Sequence, residues 1–131
     1  MEIEGEYFCL YVNDTEDFKL KKMIAEKWLM EKTKSLFLQI IEKYEKIVKQ
    51  QVTKLRLKKM KTRWGSCNHV KGYVNLNTEL IKKRKECIEY VVFHELTHLI
   101  YPNHSNEFYN YIGSYMPDWE KRKNLLKNNS F

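Results

Sequence analysis

Hydrophobic residues in the first third of the chain recur at spacings of three and four, which is the period of one face of an α-helix. The repeating positions are Phe37, Ile40, Ile41, Tyr44, Ile47 and Val48, with Leu20, Ile24 and Trp28 extending the pattern upstream. No glycine or proline interrupts the chain between Gly5 and Gly65. The pattern therefore predicts one long helix over about residues 17–48, after a short β-prone run at about residues 6–12.

The period changes to alternation after residue 51. Val52, Leu55 and Leu57 are separated by basic residues, which is typical of a half-exposed strand over about residues 52–60. The stretch "RWGSCNHVKGYVNLN" that follows predicts a strand, a tight turn and a second strand that ends at Asn77. Gly72 can adopt the positive φ that such a turn requires. A short helical turn, capped by Thr78, is expected next.

The C-terminal half of the chain contains three further predicted helices. The first, over about residues 85–101, is apolar on several faces and is therefore expected to be central and buried, ending before Pro102. Ser105 is the predicted N-cap of the second helix. Pro117 stands at the entrance of the third, where Asp118 can cap it.

Length and composition suit one domain over residues 1–131, with a short N-terminal segment, because 43% of the 131 residues are hydrophobic. Charges interrupt every apolar run well short of the roughly 18 residues that cross a bilayer. The acidic start "MEIEGEYF" lacks the features of a signal peptide. These features predict a cytoplasmic protein with no membrane partner.

The net charge and the cysteines exclude few of the possible functions. The net charge of +7 gives the chain a mild preference for anionic partners. Cys9, Cys67 and Cys87 are odd in number and far apart, and no CxxC pair is present. Neither a zinc ribbon nor a disulfide framework is therefore predicted, and reduced, partly buried thiols are expected.

Candidate chemistry is concentrated in "YVVFHELTHLIYPNHSNEF", which contains three of the four histidines within eleven residues. On a helix, His94 and His98 lie about 40° apart and one turn from each other, so both imidazoles can reach one metal ion. Glu95 projects beside that ion, where a carboxylate can take a proton from water that zinc has activated. Because a catalytic zinc site usually has three protein ligands, His104, beyond the helix end at Pro102, is the predicted third ligand.

Less specific roles for these residues are also open. The three polar side chains of the motif are costly to bury in an apolar helix, and a metal-ligand role explains their presence. The alternative is that they are ordinary core residues whose polar atoms are hydrogen-bonded. Glu107 can compete with His104 as a ligand, although stabilising the first turn of a helix suits it better. His69 is expected in a solvated turn.

Several motifs together resemble the YgjP-like metallopeptidase domain, a family related to the SprT-like and WLM zinc peptidases. The motifs that carry the resemblance are "RWGSC", "KGYVNLN", "EYVVFHELTHL", "NHSNEF" and "MPDW", and with Leu80 they extend over about residues 53–126. The resemblance implies an α+β, zincin-like fold in which a small antiparallel sheet packs against helices, with the HExxH motif on a central helix. It implies Zn²⁺ as the cofactor, with His94, His98 and His104 as ligands and Glu95 as general base.

The resemblance also implies that the segment from Arg63 to Cys67 lies near the site. Gly65 would allow a close backbone approach, and Trp64 would fill the core or a pocket wall. Arg63 would have either a packing or a substrate role. Members of the family commonly carry a longer β-rich N-terminal portion, whereas about sixteen residues precede the long helix here, so a minimal or truncated version is expected.

Three functions follow, and the first is favoured. It is a zinc-dependent metallopeptidase acting on a peptide or protein substrate, with Arg63 or a tyrosine stabilising the oxyanion. The tyrosine candidates are Tyr101, Tyr109, Tyr111 and Tyr115. The second, implied by the resemblance, is a metal-dependent nucleoside triphosphate (UTP) pyrophosphatase, whose phosphates the basic clusters at residues 58–63 and 82–85 would attract. The third is a non-enzymatic, basic, nucleic-acid-associated module, with Cys67 as a fourth ligand to a structural zinc.

Overall fold

The long helix predicted from the first third of the chain is present as α1, Thr15–Val48, in the computed structural model, which describes residues 15–127. The predicted β-prone run at residues 6–12 lies outside the described residues. The chain divides into two compact units, Met1–Ser35 and Leu36–Phe131. The interpretation of residues 1–131 as one domain stays a prediction.

The described part of the first unit is the N-terminal portion of α1. Six of its large apolar side chains are between 43% and 65% exposed, whereas Trp28 is half-buried. The six are Phe18, Leu20, Met23, Ile24, Leu29 and Met30. The Thr33 hydroxyl donates a hydrogen bond to the Leu29 carbonyl at 2.8 Å, the usual way in which a threonine satisfies its hydroxyl within a helix. The upstream part of the predicted apolar face is therefore largely exposed.

The second unit contains a three-stranded sheet and three further helices. Its elements are β1 Lys54–Lys58, β2 Gly65–Asn68, β3 Tyr73–Asn77, a 3₁₀ helix Thr78–Lys82, α2 Lys85–Thr97, α3 Asn106–Tyr115 and α4 Trp119–Lys127. The predicted α+β class is thus confirmed. Within residues 15–127, no helix has both the length and the hydropathy that crossing a bilayer requires.

The sheet is mixed, which corrects the expectation of an antiparallel sheet. Its order is β1-β3-β2, with β2 antiparallel and β1 parallel to the central strand β3. β1 and β2 are therefore not neighbours in the sheet. The hairpin after β2 places β3 between these two earlier strands. Alternation along β1 gave no information on the direction of its partner, because both directions leave one face of the strand half-buried.

The β2–β3 hairpin forms as predicted. Gly72 has φ 75° and donates its N–H to the Asn68 carbonyl at 2.8 Å. The Asn68 side chain closes the turn by accepting the N–H groups of Val70 and Lys71 at 3.2 and 3.1 Å. Local turn chemistry therefore sets the register of this pair.

α2 packs against β2, β3, α3 and α4. Its side chains Val92, Phe93 and Leu96 are fully buried, and so are Val74 and Leu76 of β3. The helix ends at Thr97, four residues before the predicted end at Tyr101. Bonds of the i→i−3 type tighten the chain there, from the N–H groups of His98, Leu99 and Ile100. His98 is therefore the C-cap of α2 and not an interior residue.

Asn77 joins the sheet, the 3₁₀ helix and the segment that precedes β2. Its side-chain NH₂ donates to the carbonyls of Met60 and Arg63 at 3.0 and 2.8 Å, and its side-chain oxygen accepts the N–H of Glu79 at 3.0 Å. Asn77 is therefore the cap of the 3₁₀ helix, one residue before the predicted cap. It is only 4% exposed, so water cannot replace these bonds.

We expect Asn77→Ala to lower the free energy of unfolding by about 2–4 kcal/mol, because it removes three hydrogen bonds made by a buried side chain. The matched control is Asn68→Ala, which removes two hydrogen bonds in an exposed turn where water can substitute, for a loss of about 1 kcal/mol. Urea titrations of both variants measure the difference. Equal losses would show that Asn77 does not have this structural role.

A second test concerns the contact between β2 and α2. A Cβ atom at Gly65 would lie 3.0 Å from the Cγ of Glu95 and 3.1 Å from the Asn75 carbonyl, whereas one at Gly113 would meet only the Trp119 ring at 3.6 Å or more. We expect Gly65→Ala to cost about 1–3 kcal/mol through overpacking. Gly113→Ala, in a helix, should be neutral or stabilise by up to about 1 kcal/mol. The opposite order in thermal or urea unfolding would contradict this packing.

Candidate metal centre

The three histidines of the motif region come together in the structure. His94 lies in the last turn of α2, His98 caps that helix, and His104 lies in the segment before α3. Each offers a ring nitrogen, and these nitrogens all lie within 4.8 Å of one another. The Nε2 atoms of His94 and His104 are 3.2 Å apart. The histidines separated in sequence by the helix end are thus neighbours in space.

Phe108 forms the platform on which the three imidazoles pack. Its ring centroid lies 5.0 Å from that of His94, 4.6 Å from that of His98 and 5.0 Å from that of His104. It is fully buried, and the N-cap bond from its N–H to Ser105 Oγ, at 3.3 Å, fixes the start of α3, as predicted for Ser105. No role was predicted for Phe108 from the sequence, although its place three residues after the Ser105 cap was a signal.

Hydrogen bonds orient the two imidazoles on α2. The Nδ1 atom of His98 donates to the carbonyl of Tyr101 at 3.2 Å, which leaves Nε2 free of that bond. The Nδ1 atom of His94 lies 3.5 Å from the Tyr90 hydroxyl, while its Nε2 faces His104. A backbone or hydroxyl partner on one nitrogen commonly fixes the tautomer of a metal-binding histidine and presents the other nitrogen.

The three imidazoles form a donor set of the kind that can hold a divalent metal ion. With Zn–N bonds of about 2.0–2.1 Å, two nitrogens of a tetrahedral site lie roughly 3.3–3.4 Å apart. The separation of 3.2 Å between the Nε2 atoms of His94 and His104 is close to that value. Burial, with the neighbouring charges of His98 and His104, lowers the pKa of His94 to about 3, and burial also lowers the pKa of His98. Both rings are therefore neutral near pH 7, the form that binds metals.

Glu95 is buried next to the three histidines and is 6% exposed. Burial raises its pKa to about 8, against the opposing effect of the Arg63 charge. The absence of a side chain at Gly65 makes room for it, since a Cβ there would lie 3.2 Å from Glu95 Oε2. The close approach expected at Gly65 is thus confirmed.

A cleft of about 380 Å³ opens onto this group of residues. β2 and its flanking residues form one wall, and α2 with the segment before α3 forms the other. Its lining residues are Arg63, Gly65, Ser66, Cys67, His69, His94, Glu95, His98, Pro102 and His104. The site therefore has room for a substrate beside the imidazoles.

Two further residues of the cleft, His69 and Cys67, are not part of the histidine group. His69 lies in the exposed β2–β3 turn, as expected, but it also lines the cleft, which no local pattern indicated. Cys67 lines the cleft as well, but the ligand group within residues 15–127 consists of the three histidines and excludes it. Burial, helped by the charge of Glu95, raises the pKa of the Cys67 thiol to about 12, so a thiolate is disfavoured there.

The other residues predicted as possible ligands, pocket-wall residues or oxyanion stabilisers lie at several places around the three histidines. Arg63 lines the cleft, and Trp64 packs against the core as one of its partly buried side chains. Glu107 is exposed in the first turn of α3, outside the histidine group. The hydroxyl of Tyr111 donates to the Ile47 carbonyl at 3.4 Å. Tyr109 stacks on the His104 ring at 6.0 Å, so it supports that imidazole.

Comparisons with known proteins agree with this geometry. The sequence matches the family model described as YgjP-like, metallopeptidase domain, over residues 1–129. No curated protein sequence matches the chain. Among solved structures, the crystal structure of the metallopeptidase zymogen of Pyrococcus abyssi abylysin is similar, with a TM-score of 0.59 and 22% identity over 68% of this chain and 87% of that chain. At that identity the likeness shows a shared fold. The chain belongs to the YgjP-like metallopeptidase domain family.

Proposed function

We propose that this chain is a zinc-dependent peptidase in which His94, His98 and His104 hold Zn²⁺ and Glu95 is the general base. One observation carries the proposal: three imidazole nitrogens within 4.8 Å of one another, beside a buried carboxylate, at the wall of an open cleft. Membership of a metallopeptidase family supports the same reaction class.

The chain's own residues supply the proton transfer and the orientation. Zinc, when bound, supplies Lewis acidity, which polarises a carbonyl group and lowers the pKa of water. Glu95, in the ionised form that a neighbouring cation favours against the effect of burial, accepts a proton from the attacking water on a carboxylate oxygen and returns it to the leaving amine. Gly65 leaves the space that this carboxylate occupies, and Tyr101 holds the His98 ring through its carbonyl. Arg63, at the cleft wall, is the candidate that stabilises the developing oxyanion.

The edge of the sheet favours a peptide over a nucleotide. Within residues 15–127, β2 pairs only with β3, and its residues Gly65, Ser66 and Cys67 line the cleft. An extended peptide can add to such an edge through main-chain hydrogen bonds, which places a peptide bond alongside the histidines. The sequence contains no glycine-rich phosphate loop.

The open cleft also argues against a purely structural zinc. A closed structural site has four side-chain ligands, whereas the group found in the described part of the chain has three and adjoins a space of about 380 Å³. Three ligands beside an open space are the arrangement of a catalytic zinc site.

Measuring the metal content of histidine variants tests which histidines are ligands. We expect about one zinc per untagged chain by plasma mass spectrometry, because a catalytic centre of this kind binds one ion. His94→Ala and His104→Ala should lose it. His69→Ala is the matched control, since His69 lines the same cleft outside the ligand group, and it should keep the metal. Zinc retained in His104→Ala would contradict the three-histidine site.

Glu95→Gln tests the general base separately from the metal. The variant should fold and keep its zinc, while peptide hydrolysis falls by at least about a hundredfold, since the amide cannot accept the proton. Turnover of quenched fluorescent peptides measures this, with uridine triphosphate assayed in parallel. Undiminished hydrolysis by the zinc-loaded variant would remove Glu95 from this role.

A further inference from the structure

A second pocket, here called the basic pocket, lies on the other side of the segment that precedes β2. It has a volume of about 330 Å³ and is lined by Met60, Lys61, Thr62, Arg63, Trp64, Asn77, Glu79, Lys82 and Lys83. Four of these side chains are cationic and one is acidic. The acidic one, Glu79, accepts a hydrogen bond from Lys82 Nζ at 2.7 Å. Among the described residues that line the pocket, cationic side chains therefore outnumber acidic ones by three.

Glu79, the acidic residue of the pocket, lies close to two lysines, of which only Lys82 lines the pocket. The hydrogen bond from Lys82, with the charges of Lys82 and Lys59, lowers the pKa of that carboxyl group. A substrate carboxylate that enters the pocket meets cationic side chains at Lys61 and Arg63, in addition to Lys82, which is already paired with Glu79. Such concave, single-sign surfaces attract ligands of opposite charge.

Hydrogen bonds from Asn77 fix the backbone that lines the basic pocket. Asn77 fixes the segment that carries Lys61 and Arg63 through its bonds to the carbonyls of Met60 and Arg63. Its own N–H donates to the Trp64 carbonyl at 2.9 Å. Lys83 also lines the pocket and is 7% exposed, and its Nζ lies 5.2 Å from the centre of the Trp64 ring. The bonds from Asn77 fix the backbone of the pocket before an anion binds, so only side chains have to be ordered on binding.

Arg63 connects the basic pocket to the metal centre. It lines both the pocket and the cleft of the three histidines. Its charge is also felt by Glu95. Since one residue borders both spaces, a group held in the basic pocket and a bond held beside the histidines can belong to one short ligand.

We propose that the basic pocket binds an acidic side chain of the substrate, so that the enzyme prefers peptides with aspartate or glutamate near the scissile bond. This inference rests on the proposed peptidase function and specifies its substrate class. Phosphate shares this anionic chemistry, and ammonium and guanidinium side chains bind it as well, so the assay with uridine triphosphate distinguishes the two ligands. The edge of β2 beside the cleft fits a peptide backbone.

The test compares peptides that differ only by glutamate against glutamine at each position around the cleaved bond. For the zinc-loaded wild type we expect kcat/KM to be about tenfold higher with glutamate at one position, the size of effect that a few partly exposed charges give. Lys61→Gln combined with Lys82→Gln should reduce that ratio to about twofold or less. Added salt should reduce it too.

The matched control removes two charges elsewhere. Lys46→Gln combined with Lys121→Gln lowers the net charge equally but lies outside the basic pocket, so its glutamate-to-glutamine ratio should equal that of the wild type. If both double variants lose the preference equally, the total charge and not the pocket is responsible, and the proposal is overturned.

Calorimetry with the zinc-loaded Glu95→Gln variant adds a readout that needs no turnover. Glutamate peptides should bind about tenfold more tightly than glutamine peptides, and the added Lys61→Gln and Lys82→Gln changes should abolish the difference. Hydrolysis of both peptide series at equal rates would overturn the basic pocket and leave the peptidase function intact. Hydrolysis of uridine triphosphate with no binding of either peptide would overturn both proposals.

Discussion

The close packing of β2 against α2 at Gly65 determines where the carboxylate of Glu95 lies. No atom larger than hydrogen fits at that α-carbon without moving Glu95 or the central strand. Because α2 is buried on most of its surface, it cannot turn to relieve such a contact. The position of the carboxylate, and with it the imidazole of His94 one residue earlier, therefore depends on the packing of a strand against a helix and not on the helix alone.

A second layer of support surrounds the histidines. Phe108 packs beneath all three rings, and the Ser105 cap fixes the start of the helix from which it projects. The early end of α2 has a related consequence, since the tightened turn brings the Tyr101 carbonyl to His98 Nδ1. Polar rings at the edge of an apolar core are thus supported by the rings of Phe108 and Tyr109 and by the backbone carbonyl of Tyr101.

Asn77 connects this region to the segment that borders both the cleft and the basic pocket. Its side-chain N–H groups donate to the carbonyls of Met60 and Arg63, and its side-chain oxygen accepts the N–H of Glu79. Asn77 therefore joins the irregular segment before β2 to the 3₁₀ helix. The segment it holds contributes Arg63, the residue shared by the two spaces. The sheet therefore serves as a scaffold on which a loop places the charged groups that a substrate meets.

The sequence by itself determined the features that depend on neighbours a few residues apart. These are the long first helix, the hairpin at Gly72, the Ser105 cap, and the placing of His94 and His98 one turn from each other. The motifs around them also identified the family, and with it the close approach at Gly65. Tertiary structure alone decided the parallel pairing of β1, the end of α2 at Thr97, the platform at Phe108 and the shared position of Arg63. Periodicity and turn chemistry act over a few residues, whereas strand direction, helix ends and pocket walls depend on which distant segments pack together.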